Sequence, residues 1–259
     1  MDFVTRFRIT ADGLPDLPPD PDDALARLAE GNARFAEEVV GPLAPGGLTP
    51  TQSPFGVVLS CSDSRAPVEL VFDAKPNQLF VVRVAGNVLG QEALGSIEYA
   101  LGNFRPSLRL LTVVGHTGCG AVTAAVNAYL SPKHSAGVAF SRSVRAVVNH
   151  ILLSVRSSAL ALEQVWGAEV ANHPGYPKAL TETAVYLNTA MAAYQLSQEL
   201  RPEDAGVRVV HGVFDLADGR VGAGPGGPGL HAAPTGPQEL VDLGLALASD
   251  MRVKRHLGQ

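Results

Sequence analysis

The feature that most constrains this chain's fold is a set of four short apolar runs: Val57–Ser60, Leu79–Val84, Leu108–Val114 and Val207–Phe214. They are rich in β-branched residues, bounded by turn formers and too short for buried helices. Helical-looking stretches lie between them, near Gly90–Asn103, Gly120–Leu130, Val138–Leu162 and Lys178–Leu200. Apolar strands alternating with helices predict an α/β fold, a mainly parallel sheet of four or five strands covered by helices. Within Val138–Leu162, residues Val144, Val147, Val148, Ile151, Leu152 and Val155 recur at helical period, a face for the sheet or for a partner subunit.

The flanks read differently. Residues 1–21 are rich in Pro and Asp and predict an extended arm; a helix follows from Asp22-Asp23, where acidic side chains suit a helix start. Its stripe of Leu25, Leu28, Ala29 and Phe35 runs through about Glu38, making an N-terminal helical arm, and Gly41–Pro54 reads as loop. After the last strand, Gly222–Pro237 is Gly/Pro-rich and reads as irregular, and a C-terminal amphipathic helix covers roughly Gln238–Met251. Gly222-x-Gly224-x-x-Gly227 matches a dinucleotide-binding pattern as text, but Pro225 and Pro228 stand where a helix must begin, so it is read as loop.

Composition narrows the function class. A net charge of −5 and the lack of any Lys/Arg run exclude a broad nucleic-acid surface, and no apolar stretch is long enough to span a bilayer. The N-terminus has no signal-peptide core, so a cytoplasmic location is expected. A reducing cytosol disfavours a disulfide between Cys61 and Cys119, the two cysteines of the chain. Taken singly, each is as readily a small buried hydrophobe as a functional thiol.

Their positions favour function. Cys61 directly follows the first strand, and His116 and Cys119 follow the third. In an open α/β sheet such strand ends meet in one crevice. Two thiolates and an imidazole suit zinc, and three protein ligands leave a fourth position for chemistry. The segment Cys61-Ser-Asp63-Ser-Arg65 allows Asp63 and Arg65 to form a bidentate pair. Asp63 would then either take the fourth metal position or accept a hydrogen bond from the bound group. The alternative is a surface ion pair of little energetic value. Cys119 opens a predicted helix whose N-terminus favours its thiolate, while Gly118 and Gly120 permit a tight turn.

Together, Cys61-Ser-Asp-Ser-Arg65 and Gly115-His-Thr-Gly-Cys-Gly120 resemble the β-class carbonic anhydrases. Phe80–Asn87, Gly95–Ala100, Ala24–Phe35 and His211–Asp215 with Asp218-Gly-Arg220 resemble further blocks of that family, so the similarity runs from about residue 22 to 221. The resemblance implies a zinc domain over 22–221, with Cys61, His116 and Cys119 as ligands and Asp63 and Arg65 as the catalytic pair. It implies Gln52, Phe80, Tyr99 and Gly120 as substrate-pocket positions, some serving a neighbouring subunit in a homodimer or dimer of dimers. The implied reaction is hydration of carbon dioxide to bicarbonate by a zinc-bound hydroxide. Carbonyl sulfide or carbon disulfide hydrolysis on the same zinc, or a non-catalytic zinc-stabilised module, are the alternatives. Val58 stands where one subclass has a tryptophan of a bicarbonate-responsive pocket, and residues 222–259 match nothing in the family core.

Overall fold

The structure is a computed structural model and describes residues 18–37, 51–139, 141–201, 204 and 206–258. Most of the expected arm and of the Gly41–Pro54 loop lies outside the described residues. The chain divides into two compact units, Met1–Gln52 and Ser53–Gln259.

The described part of the first unit is dominated by helix α1, Pro21–Phe35, which starts slightly before the expected Asp22. Asp20 caps it: its Oδ1 accepts from the backbone N–H groups of Asp22 and Asp23, each at 2.9 Å. No α1 residue is buried, and its apolar stripe stays open, with Leu25 66% and Leu28 73% exposed.

The second unit is built on strands β1 (Gly56–Ser60), β2 (Leu79–Arg83), β3 (Leu110–His116) and β4 (Arg208–Phe214), all parallel, in the order β2-β1-β3-β4. Side chains alternate between two faces, as a pleated strand requires. Val57, Leu59, Val82, Leu111 and Val113 pack on one face with helix α3 (Gln91–Phe104). On the other, Val58 and Val114 meet Val68 of helix α2 (Val68–Val71). Strands buried on both faces must read as continuous apolar runs, which is the pattern in the sequence.

Helices α4 (Gly120–Leu130), α5 (Pro132–Ala139), α6 (Arg142–Trp166) and α7 (Tyr176–Gln198) complete the frame. The single helix expected over Val138–Leu162 is two, because Ser141 caps a new helix by accepting from the Val144 N–H at 3.3 Å. Its period holds: Val148, Ile151 and Val155 are buried, and Val144 faces out. Helix α7 joins the sheet to the helical layer; its first half (Ala179, Leu180, Ala184, Leu187) packs with α4 and α6, while Ala193 and Leu196 pack on the sheet.

The Gly/Pro-rich stretch expected to be irregular contains two short antiparallel strands, β5 (Val221–Gly222) and β6 (His231–Ala232), both paired with β4. Of the fingerprint-like glycines, Gly222 ends β5 and Gly224 opens a single 3-10 turn, Gly224–Gly226, capped by Gly227; no α-helix opens there, as read from Pro225 and Pro228. The C-terminal helix is a pair, α8 (Pro237–Ala248) and α9 (Met251–His256), and Leu247, Ala248, Val253 and Leu257 enter the same apolar cluster as Cys61 and Cys119. Among the described residues no helix is long and apolar enough to cross a membrane.

Candidate metal centre

From β1 the chain moves to β2 on one side, then crosses back to β3 on the other. Such a reversal opens a crevice between the carboxyl ends of the two central strands. The register pairs Ser60 with Val114, so Cys61 leaves β1 level with the end of β3, where His116 is the last residue. Gly118 then takes φ +65°, a left-handed turn open to glycine, and returns the chain so that Cys119 caps α4. Sequence-distant residues are thereby brought to one point.

The thiolate and imidazole atoms of Cys61, His116 and Cys119 lie within 4.8 Å of one another, and all three residues are buried. The two sulfurs are 3.9 Å apart, far beyond a disulfide. His116 Nδ1 lies 3.0 Å from the Thr117 carbonyl oxygen. A carbonyl only accepts, so Nδ1 carries the proton and Nε2 keeps its lone pair. That Nε2 is buried without a hydrogen-bond partner, which a metal ion at the convergence point would supply. The donor set and the orphaned nitrogen fit a tetrahedral metal.

The thiols divide their charge unequally. Cys61 is pulled down to about 4 by the Cys119 hydrogen bond first, with help from His116 and the Gly86 N–H. Cys119 is pushed up by that same bond and by burial; the α4 N–H groups of Ala121 and Val122 act the other way and are outweighed. The helix terminus thus acts on Cys119 in the direction expected from its position, through the N–H groups of Ala121 and Val122.

Asp63 forms the bidentate pair with Arg65, Nε to Oδ1 at 2.9 Å and Nη2 to Oδ2 at 2.7 Å, and accepts the Arg65 backbone N–H at 2.9 Å. This contact holds its carboxyl down to about 2. Asp63 Oδ2 is also 3.7 Å from His116 Nε2, so the carboxylate borders the cluster while committed to Arg65. Gly120 opens α4, and a Cβ there would meet nothing within 4 Å.

Phe80 and Tyr99 do not line this chain's own cluster. They form an aromatic group with Phe104, with centroids 5.8–6.3 Å apart, beside the sheet face packed on α3. Tyr99 is 57% exposed, and Gln52, also exposed, ends the first unit.

Two residues without an assigned role in the sequence reading shape the site. Arg83, at the end of β2, donates to the carbonyls of Cys61 (3.0 Å), Asp63 (2.6 Å) and Ala66 (3.3 Å), fastening the loop that carries Cys61 and Asp63. Gly86, at φ +67°, donates its N–H to Cys61 Sγ at 3.2 Å. An arginine ending an edge strand was the available signal for the first; for the second only the Gly-Asn turn after β2 was.

A mainly parallel α/β sheet with a buried cysteine–histidine–cysteine cluster at its switch point defines an open-sheet protein with a site that could hold a metal. The carbonic anhydrase family model matches residues 56–221. A carbonic anhydrase of Mycolicibacterium smegmatis is 35% identical over 211 residues, covering 78% of this chain and 92% of that protein. Carbonic anhydrase 2 of Mycobacterium tuberculosis is 42% identical over 117 residues, 42% of this chain and 54% of that protein. Among solved structures, a β-carbonic anhydrase of Sordaria macrospora, from a study of two tetrameric enzymes, shares the fold at TM-score 0.57 and 19% identity, over 78% of this chain and 96% of that one. The Aspergillus fumigatus enzyme CafA does so at TM-score 0.53 and 22% identity, over 86% and 96%. The chain belongs to the β-class carbonic anhydrases.

Proposed function

We propose that this chain is a zinc enzyme interconverting carbon dioxide and bicarbonate, with Cys61, His116 and Cys119 holding the metal. The observation that carries the reading is the orphaned, buried Nε2 of His116 facing two thiols beside a carboxylate committed to arginine. When bound, zinc supplies the Lewis acidity that makes a nucleophile of water near neutral pH. The protein's part is to leave the fourth position open and to orient what occupies it. Arg65 does the first by engaging both oxygens of Asp63, which keeps the carboxylate off the metal. Asp63 does the second: ionised and bordering the cluster, it accepts a hydrogen bond from the nucleophile and so turns a lone pair toward carbon dioxide. Arg83 holds the loop carrying both groups, and the open space at Gly120 leaves room for a small uncharged substrate.

The reading extends to a pocket completed by a second copy of the chain in a homodimer or dimer of dimers. The exposed Tyr99 beside edge strand β2, with Phe80 behind it, supports an apolar wall offered to a neighbour's centre, and Gln52 is assigned to polarise substrate oxygen there. The zinc domain is taken as residues 22–221, with 1–21 an arm and 222–259 a C-terminal extension, in a cytoplasmic protein. Zinc content and carbon dioxide hydration measured on one preparation test this. One zinc per chain with rapid hydration is expected. Full zinc without hydration would leave a structural zinc module, and turnover of carbonyl sulfide or carbon disulfide in its place would change the substrate.

A further inference from the structure

Cys61 Sγ is held by a chain of hydrogen bonds that begins 127 positions further along the sequence. Asn188, on α7 and 5% exposed, donates from Nδ2 to the Gly86 carbonyl oxygen at 2.9 Å. Gly86 in turn donates its own N–H to Cys61 Sγ at 3.2 Å. Because the Gly86 oxygen only accepts, the amide orientation is settled, and Oδ1 faces the hydroxyl of buried Ser154 at 3.4 Å. Ser154 Oγ also lies 3.2 Å from Met191 Sδ, so its hold on Asn188 is shared.

The intervening peptide has little freedom to choose its own direction. Gly86 adopts φ +67°, and a Cβ there would stand 2.7 Å from Ile151 Cδ1 and 3.1 Å from the Ala121 Cβ. The turn is thus pressed against α4 and α6, and Asn188 is the group that anchors its carbonyl. An N–H aimed at a thiolate withdraws charge from sulfur and fixes the direction of its lone pairs. Partners of this kind set ligand orientation and metal affinity without touching the metal.

We infer that Asn188 is a positioning residue for the metal centre, acting through the Gly86 peptide on the Cys61 thiolate. This rests on the proposed metal site. In Asn188→Leu the donor is lost at similar side-chain size. Zinc affinity, measured by chelator competition, is expected to fall on the order of 10-fold or more. In the cobalt(II)-loaded protein the thiolate-to-cobalt charge-transfer band is expected to move to longer wavelength, since sulfur without its N–H partner gives up electrons more easily. Circular dichroism reports whether the variant is folded. A folded Asn188→Leu protein with zinc affinity within twofold of wild type and an unmoved band would overturn the inference. Should that variant not fold, Ser154→Ala, which loosens Asn188 and leaves its amide in place, is expected to move the band in the same direction by less; an unmoved band and unchanged affinity there would equally overturn it. Wild-type protein that binds neither zinc nor cobalt would instead remove the metal site itself.

Discussion

At the scale of single residues, the proposed centre predicts different losses for the candidate ligands and for the groups beside them. Cys119→Ser replaces a soft thiolate by a weak neutral oxygen, in a class of site where zinc binding is worth on the order of 10 kcal/mol. The variant should lose its zinc, and elemental analysis showing full retention would strike Cys119 from the ligand set. Asp63→Ala is the contrasting case. Its carboxylate is spent on Arg65 at 2.7 and 2.9 Å, so zinc should stay while hydration falls by on the order of 100-fold, the usual scale for a lost positioning contact. Wild-type turnover in that variant across neutral and alkaline pH would reduce the pair to a surface contact.

Two close approaches decide matters at the scale of elements. Strand β3 meets α7 where Gly115 faces Thr189: a Cβ on Gly115 would overlap Thr189 Oγ1 and stand 3.4 Å from its Cβ. Gly115→Ala should therefore push α7 away and cost about 1–3 kcal/mol as overpacking. Adding Thr189→Ala removes the clashing oxygen and should restore much of that stability in denaturant unfolding; a double variant no better than the single would mean that the strain lies elsewhere. The second approach is on β4, where His211 is 6% exposed and stands opposite His231 of β6. Burial, with a smaller contribution from His231, holds His211 down to about 4, against about 6.5 in an unfolded chain. Between those values the unfolded state binds the extra proton, so stability is fully present above about pH 6.5 and declines as pH falls toward 4, by about 3 kcal/mol in all. In His211→Gln the loss of stability between pH 7 and 4.5 should be smaller than in wild type. Equal losses would show that His211 titrates normally in the folded protein.

For the whole molecule, the question is whether one chain is enough. Within a single chain Cys61, His116 and Cys119 come together beside Asp63, whereas Phe80 and Tyr99 stand apart beside the edge strand. An active species of at least twice the 27.0 kDa chain mass is expected by light scattering. Full activity at 27.0 kDa would mean that the pocket is finished by this chain's own residues and would return Phe80 and Tyr99 to ordinary packing.

What the sequence determined by itself is what depends on near neighbours. Strands β1 to β4 were legible because burial on both faces forces continuous apolar runs. Helix α4 was legible to the residue because the turn ahead of it needs glycine at Gly118 and its end is marked by Ser131-Pro132. The Cys61, His116 and Cys119 cluster and the Asp63–Arg65 pair were legible because these residue types are uncommon and fall in two short segments, each at the end of a strand. The break at Ser141 was harder to read, since the apolar period of α6 obscures the point where one helix stops and another is capped. Only the tertiary structure decided that Ser60 and Val114 stand in register, so that Cys61 and His116 meet at all. It also decided that Arg83 donates to the carbonyls of the Cys61 loop and Asn188 to that of Gly86. Both act through backbone carbonyls of segments distant along the chain, and a hydrogen bond between a side chain and a remote peptide leaves no pattern of period or spacing in the sequence.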